Sequence, residues 1–330
     1  MSDHRPGTEF DLILRHFAPL ASGEAGAYAL CDDAASLAVK PGHELIVTKD
    51  MMAAGVHFFA TDPPETLGRK ILRANLSDLA AMGATPRAYA MGLALPGDLA
   101  PDWLEKFVAG LAEDQAQFGV TLIGGDTIRA ADGLTMSLTA FGEIAAGRAL
   151  RRSGAKPGDA IFASGTIGDA ALGLQVAEGR PLAGVAAAER ETLLARYRLP
   201  EPRTELGRGL VGLASAAIDI SDGLVADLGH ICTASEVGAR IEVERVPLSD
   251  AAAAACRAAP ELIQRLLSGG DDYELLVCAP AQAEEDVVAA ARAADIPLGR
   301  IGTVMPGSGV CVIGSDGGEM MLERGGYRHF

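Results

Sequence analysis

The sequence predicts an α+β fold in two domains. Three observations carry that reading. Apolar runs of strand length are mixed with helical periodicities in both halves, without strict strand–helix–strand alternation. The length, 330 residues, suits two domains rather than one. A basic stretch holding Gly and Pro, Gly147–Asp159 (GRALRRSGAKPGD), separates the halves. The domains are therefore drawn as 1–148 and 149–330.

The first element is a short amphipathic helix, Glu9–Phe17, with Phe10, Ile13, Leu14 and Phe17 on one face. Strand-length apolar runs follow at Ala27–Cys31, Glu44–Thr48, Arg87–Leu95 and Leu134–Ile144. Two helices interleave with them. Thr66–Met82 carries Leu67, Ile71, Leu72, Leu76 and Leu79 at helical spacing, and Gly83 stands where a left-handed C′ residue belongs. Asp102–Phe118 begins behind Pro101, a good first-turn residue. In the second half, strand-like runs recur at Ala160–Ala163, Ala216–Ile220, Ala239–Glu244, Tyr273–Ala279 and Leu298–Val304. Helical stretches lie near 168–178, 203–214, 223–236 and 281–293. Apart from the Ala251–Ala255 run there is no low-complexity segment, and no short repeat.

Composition excludes several functions. Hydrophobic residues make up 49%, enough for sizeable cores. The formal net charge is −16, from 28 basic and 44 acidic residues, which argues against nonspecific nucleic-acid or anionic-membrane binding. It leaves anionic ligands open if metal ions stand between ligand and protein. The 5 cysteines form no C-x-x-C pair, so neither a disulfide framework nor a structural zinc site is expected. The N-terminus is polar and no apolar stretch approaches a membrane span, so a cytoplasmic protein is expected.

The chemistry is written in aspartates. Asp32 and Asp33 follow Tyr28–Cys31, and Asp50 follows Leu45–Thr48. Asp126 follows Val120–Ile123 through Gly124 and Gly125. Asp219 and Asp222 bracket Ile220 and Ser221, while Asp271 and Asp272 lead into Tyr273–Val277. A single strand-end Asp more often closes a turn or caps a helix than binds a metal. Repetition in one chain reverses those odds, because Asn, Ser or Gly would serve a turn equally well. Converging carboxylates repel unless cations intervene, and hard oxygen donors without His or Cys favour Mg²⁺, which brings phosphates with it. Asp78 lies inside a helix and shares a face with Asn75; an exposed polar face is an equal reading.

Known phosphate signatures are absent. None of the lysines (Lys40, Lys49, Lys70, Lys106, Lys156) follows a glycine, so there is no P-loop. There is no kinase H-R-D or D-F-G and no Rossmann fingerprint. Arg151–Lys156 can supply cations for phosphates or act as a plain basic linker. His57 reads as a packed histidine, and no catalytic Ser-His-Asp or Cys-His set stands out.

Taken in order, these pieces resemble the thiamine-monophosphate kinase family of the aminoimidazole ribonucleotide synthetase-like superfamily. The matching segments are Asp32–Ala35, Thr48-Lys49-Asp50 with Gly55–Phe58, Asn75–Gly83, Gly124–Thr127, Arg152–Asp159, Asp219–Leu224, Ser268–Leu275 and Gly326–Phe330. They span the whole chain. The Gly-Val-His-Phe piece, the Asp-Asp-Tyr-Glu-Leu piece and the aromatic tail point to this kinase within the superfamily.

The resemblance implies a two-domain superfamily fold: an N-terminal mixed sheet with helices, and a sandwich-like C-terminal α/β domain. It implies ATP-dependent phosphorylation of thiamine monophosphate to thiamine diphosphate by a cytoplasmic homodimer whose first domain supplies the dimer sheet. Several Mg²⁺ ions are implied at Asp33, Thr48, Lys49, Asp50, Asp78, Asp126, Asp219 and Asp222. ATP contacts fall on Gly125, Asp126, Arg152 and Ser221, and the substrate on His57, Asp271 and Tyr327. Asp50, Asp126 and Asp222 stand as the catalytic set.

The chain departs from the family pattern at Cys31 (usually Gly), Lys49 (usually Ser or Thr) and Ala54 (often Glu). A backbone carbonyl ligand at 49 would be unchanged, a hydroxyl ligand would be lost, and an ammonium could instead neutralise phosphate. Other readings are a selenophosphate synthetase or cyclo-ligase type relative, a non-catalytic nucleotide- or thiamine-phosphate-binding protein, and a Mg²⁺ phosphohydrolase.

Overall fold

A computed structural model describes residues 9–97, 99–322 and 326–327. In chain order the elements are α1 (Glu9–Leu12), β1 (His43–Ala53), α2 (Pro64–Ala81), β2 (Thr85–Leu95), α3 (Trp103–Phe118), β3 (Thr121–Arg129), β4 (Thr135–Ala145) and β5 (Ala160–Ser164). They continue as α4 (Asp169–Ala177), α5 (Ala187–Arg198), α6 (Thr204–Gly209), β6 (Ala216–Asp219), α7 (Leu224–Ser235) and β7 (Gly238–Glu242). The last are α8 (Asp250–Ala258), α9 (Leu262–Ser268), β8 (Leu275–Ala279), α10 (Glu284–Ala293), β9 (Leu298–Met305) and β10 (Gly309–Ile313). The chain divides into two compact units, Met1–Leu79 with Thr85–Ala146, and Ala80–Ala84 with Gly147–Phe330. The fold is α+β, as the sequence predicts. Among the described residues no helix is long and apolar enough to cross a membrane.

The first unit holds a mixed four-stranded sheet in the order β1-β4-β2-β3, parallel only between β2 and β3. Period-2 alternation decides its faces. Met136, Leu138 and Ala140 on β4, with Tyr89, Met91 and Leu93 on β2, are buried. So are Leu67, Ile71, Leu72, Leu76 and Leu79 of α2 and Phe107 and Leu111 of α3. Helices α2 and α3 cross closely because Gly110 has no side chain: a Cβ there would lie 2.0 Å from the Glu65 carbonyl oxygen. A buried bidentate pair ties them, with Arg73 Nε and Nη2 donating to Asp114 Oδ2 and Oδ1 at 2.6 and 2.8 Å.

The second unit holds a six-stranded sheet in the order β10-β7-β9-β5-β8-β6. Its central strands are buried on both faces, which explains their uninterrupted apolar runs. Ile161 and Ala163 of β5 and Leu276 and Cys278 of β8 pack with Leu224, Leu228 and Ile231 of α7. Their neighbours Phe162, Leu275 and Val277 pack with Leu206 and Leu210 and with Val287 and Ala291 of α10. This is the α/β sandwich that the resemblance implies. All five cysteines are free.

Several sequence expectations need correction. Ala27–Cys31 is not a strand: Ala25–Leu30 forms 3₁₀ turns with Tyr28, Ala29 and Leu30 at positive φ. The run has no β-branched residue, and Gly26 packs so closely that a Cβ would lie 2.0 Å from the Ser36 carbonyl oxygen. Leu14 is 45% exposed, so it leaves the apolar face assigned to the first helix, where Ile13–Phe17 winds as a π-turn. The Phe10 side chain and the tail residues Arg328, His329 and Phe330 lie outside what the structure describes. Pro101 precedes the N-cap Asp102 rather than opening α3. Gly83 does take φ +71 after α2, as read from the sequence. The elements missed were α5, α8, α9, β10 and β3 beyond Ile123. The helix α8 contains the alanine run, whose uniformity hides its periodicity.

Candidate active site

In the first unit, β1 runs through its own acidic residue. Asp50 does not end the strand; it is paired with Leu138 inside it. Thr48 and Asp50 share one face by alternation. There the Thr48 hydroxyl donates to Asp78 Oδ2 of α2. Burial, and then the charge of Asp78, push the Asp50 carboxyl up to about 7. Thr48, Asp50 and Asp78 thus form one cluster of hard oxygen donors whose ionisation opposes burial. That is the observation a divalent cation would relieve, and the donor chemistry fits Mg²⁺. Asn75 is wholly buried and its Nδ2 donates 2.8 Å to the Ile71 carbonyl, so it forms no exposed polar face with Asp78.

Lys49 lies on the opposite face of β1, exposed, where its ammonium donates to Ser137 Oγ of β4. Its side chain therefore does not join Thr48, Asp50 and Asp78. His57 sits in the turn after β1, where Gly55 has φ +79. Its Nδ1 accepts from the Ala53 amide at 3.1 Å, and its carbonyl accepts from Lys70 Nζ at 3.3 Å.

The other first-unit residues are elsewhere. Asp32, Asp33, Gly125 and Asp126 line a cavity of about 360 Å³, together with Leu122, Ile123 and Phe141. Asp126 is inside β3 beside Gly92 of β2, not beyond a strand end. Asp50, Leu138, Met91 and Gly125 form one cross-sheet row, so Asp50 and Gly125 are three strand spacings apart, about 14 Å. The carboxylates form two groups here rather than one. Gly125 has a structural reason as well: a Cβ would lie 2.0 Å from the Met91 carbonyl oxygen.

In the second unit, Asp219 is the buried last residue of β6, and Ser221 and Asp222 form the turn into α7. That turn is held by Asp227, which sequence reading missed. Its Oδ2 accepts from the amides of Ser221, Asp222 and Gly223, each at 3.0 Å. Burial pushes the Asp227 carboxyl up to about 6. One donor atom each of Asp222, Asp227 and His230 lies within 4.8 Å of the others. The signal for Asp227 was present in Asp222-Gly223-Leu224-Val225-Ala226-Asp227, an acid within the first turns of a helix.

Two further loops flank this turn. Asp271, half-buried, has φ +71 and Tyr273 has φ +52, a left-handed geometry uncommon for non-glycine residues. The loop is sewn to the Asp222 turn: the Asp271 amide donates to the Ser221 carbonyl at 2.9 Å and the Tyr273 amide to the Ile220 carbonyl at 2.8 Å. The Tyr327 amide donates to the Asp222 carbonyl at 3.0 Å, which brings the tail to the same turn. Arg152 is exposed, and its carbonyl accepts from Ser235 Oγ at 3.1 Å. The structure therefore gathers Ser221, Asp222, Asp271 and Tyr327 around one turn.

Comparison with known proteins places the chain among relatives. Residues 31–144 match the family model for the AIR synthase related protein, N-terminal domain. Residues 156–314 match that for the C-terminal domain. A thiamine-monophosphate kinase of Caulobacter vibrioides is 45% identical over 310 residues, covering 92% of this chain and 86% of its own. One of Escherichia coli K12 is 41% identical over 325 residues, covering 98% of each. The crystal structure of the Stenotrophomonas maltophilia thiamine-monophosphate kinase superposes with TM-score 0.79 at 41% identity, over 88% of this chain and 91% of that one. The AaThiL complex with AMPPCP and TMP superposes with TM-score 0.78 at 30% identity, over 100% and 99%.

Proposed function

The chain belongs to the AIR synthase related family, among its thiamine-monophosphate kinases, and from that premise we propose that it transfers the γ-phosphoryl group of ATP to thiamine monophosphate, giving thiamine diphosphate and ADP. The observation that carries this is the match to such kinases along nearly the whole of both chains. The selenophosphate synthetase, cyclo-ligase, binding-protein and phosphohydrolase readings have no comparable support.

The acceptor explains why no general base stands out. A phosphate monoester has its second pKa at about 6, so at neutral pH it is already mostly a dianion. The obstacle is charge, not deprotonation. Magnesium, when bound, supplies screening between the two phosphates and stabilises charge on the transferred group. In the first unit Thr48, Asp50 and Asp78 would hold one such ion, and Asp33 and Asp126 would serve at the cavity with Gly125 toward the nucleotide. In the second, Asp219 and Asp222 would hold metal, Arg152 and Ser221 nucleotide, and Asp271 and Tyr327 substrate, with His57 of the first unit also assigned to substrate. Lys49 would reach the metal held by Thr48, Asp50 and Asp78 only through its backbone carbonyl, and its ammonium on the other face would serve phosphate. The halves 1–148 and 149–330 thus each bring their own contacts: the first binds ATP and magnesium and carries the dimer face, the second adds further nucleotide and substrate contacts. The transfer is direct and in line, and the reaction is cytoplasmic.

Phosphorus NMR of the protein with ATP, Mg²⁺ and thiamine monophosphate tests this. Thiamine diphosphate and ADP should appear, with inversion at a chiral γ-phosphorus, and Asp126→Asn should lower the rate by about a hundredfold or more. Free phosphate without thiamine diphosphate, or retention of configuration, would overturn the reading.

The homodimer rests on the first sheet. Val47 and Met51 of β1 are 55% and 58% exposed and Ile128 of β3 is 57% exposed, and all lie on the face without Asp50. An apolar sheet face of this kind marks an interface. Val47→Asp should shift sedimentation from dimer to monomer; a wild-type monomer at micromolar concentration would refute the assignment.

A further inference from the structure

Helix α7 touches two of the loops just assigned to metal and nucleotide, with one polar side chain near each end. In its first turns Asp227, 2% exposed, gathers the amides of Ser221, Asp222 and Gly223. At its last residue Ser235 Oγ accepts from the amides of Gly154 and Ala155 at 3.1 and 3.2 Å and donates to the Arg152 carbonyl at 3.1 Å. Eight residues separate the two, about 12 Å along the axis. Between them Leu228, Ile231 and Cys232 are buried in the core against β6 and β8. The helix is thus fixed while its polar ends reach out.

Both loops turn on a glycine. Gly223 has φ +126, and a Cβ there would lie 2.7 Å from the Ser268 carbonyl carbon. Gly154 has φ +122, and a Cβ would lie 2.5 Å from the Ser215 carbonyl oxygen. Both backbones therefore run in conformations open mainly to glycine, and a glycine backbone is the most mobile when untied. Three amides at one carboxylate, and two amides with a carbonyl at one hydroxyl, supply the tie.

We infer that α7 is a strut that sets the spacing between the acidic turn at Asp222 and the loop carrying Arg152, with Asp227 and Ser235 as its positioning residues. This rests on the reading that those two loops handle metal and nucleotide. Neither side chain touches a reacting atom; each acts through the backbone of the loop it holds.

The test is Ser235→Ala, which removes one hydroxyl at the surface and leaves the core intact. Amide hydrogen exchange should quicken at Gly154 and Ala155 while the β5 and β8 amides keep their protection. Binding of a non-hydrolysable ATP analogue, measured by calorimetry with Mg²⁺ and no acceptor, should weaken about three- to tenfold. In turnover, KM for ATP should rise by the same factor with kcat and KM for thiamine monophosphate within about twofold. Asp227→Ala should weaken analogue binding further, and Asp227→Asn, which keeps an acceptor oxygen, should recover much of it. Unchanged exchange at Gly154 and Ala155, or unchanged analogue affinity in Ser235→Ala, overturns the strut. Equal losses for both substrates overturn it as well, because they indicate general loosening. A wild type that binds the analogue yet makes no thiamine diphosphate sinks the kinase reading alone, and the variants' affinities still decide the strut.

Discussion

Asp50→Asn should reduce turnover by about a thousandfold or more and, in the absence of metal, make the protein more stable than wild type. Both effects come from one cause. Burial and the neighbouring Asp78 oppose ionisation of Asp50, whose carboxyl stands at about 7 in the fold against 3.8 in the unfolded chain. Between those values the folded protein keeps a proton that the unfolded chain has released. Wild-type stability without metal must therefore fall as pH rises from about 4 to about 7, and stay low above that. The amide cannot ionise and escapes this loss. Thermal unfolding in chelator should give equal midpoints near pH 4 and an advantage for Asp50→Asn of about 1–3 kcal/mol at pH 8. Millimolar Mg²⁺ should raise the wild-type midpoint and leave the variant almost unmoved, because binding to the native state alone is what stabilises it. A variant no more stable than wild type at pH 8 in chelator would show that the two carboxylates are not strained against each other. The activity loss follows from the same pair: a neutral amide is a poor ligand for a hard divalent cation.

The sequence was most legible where one physical constraint acts alone. The apolar spacing of α2 and the left-handed Gly83 behind it follow from packing and capping, and both read correctly. Strand ends were harder. The run Leu45–Thr48 looked complete because Lys49 and Asp50 are charged, yet β1 continues to Ala53. As an edge strand half open to its surroundings, it tolerates a lysine on one face and an aspartate on the other. That error also hid the separation of Asp50 from Asp126. Spacing along the chain showed that acids recur; only the sheet order shows that three strand spacings lie between them. Asp227 was missed for a related reason. Its value lies in three amides behind it in space, and its place in the first turns of a helix signals an acid there without naming those three partners. The aspartates chosen for the acidic turn depend on one that was not.

The second large effect concerns stability rather than chemistry. Glu274 is wholly buried, and Ser164 Oγ donates to its Oε2 at 2.6 Å while Arg203 Nε does so at 2.7 Å. Its Oε1 accepts from Arg196 Nη2 at 2.8 Å and from Arg203 Nη2 at 2.5 Å. One carboxylate thus serves two guanidiniums, and a Cβ on Gly165 would lie 2.1 Å from it. Glu274→Ala would leave those guanidiniums with only the exposed Glu201, 3.3 Å from Arg196 and 3.0 Å from Arg203, as counter-charge, a change that costs up to about 3–5 kcal/mol. Urea unfolding followed by circular dichroism should show a lower midpoint of that size for the second unit. Replacing the partners together, as in Glu274→Leu with Arg203→Leu, should cost less than the sum of the single changes, since an apolar substitute for a buried pair is often nearly neutral. The loop before Glu274 gives the functional reading. Asp271 and Tyr273 sit at φ +71 and +52, and the Ile220 amide donates to the Glu274 carbonyl at 2.8 Å. With the anchor gone, a left-handed backbone outside glycine has reason to relax. In any Glu274 variant that still folds, such as Glu274→Gln, KM for thiamine monophosphate should rise more than KM for ATP. Unfolding of Glu274→Ala at the wild-type midpoint would mean that the two arginines find other partners and that the loop keeps its shape by its backbone bonds alone.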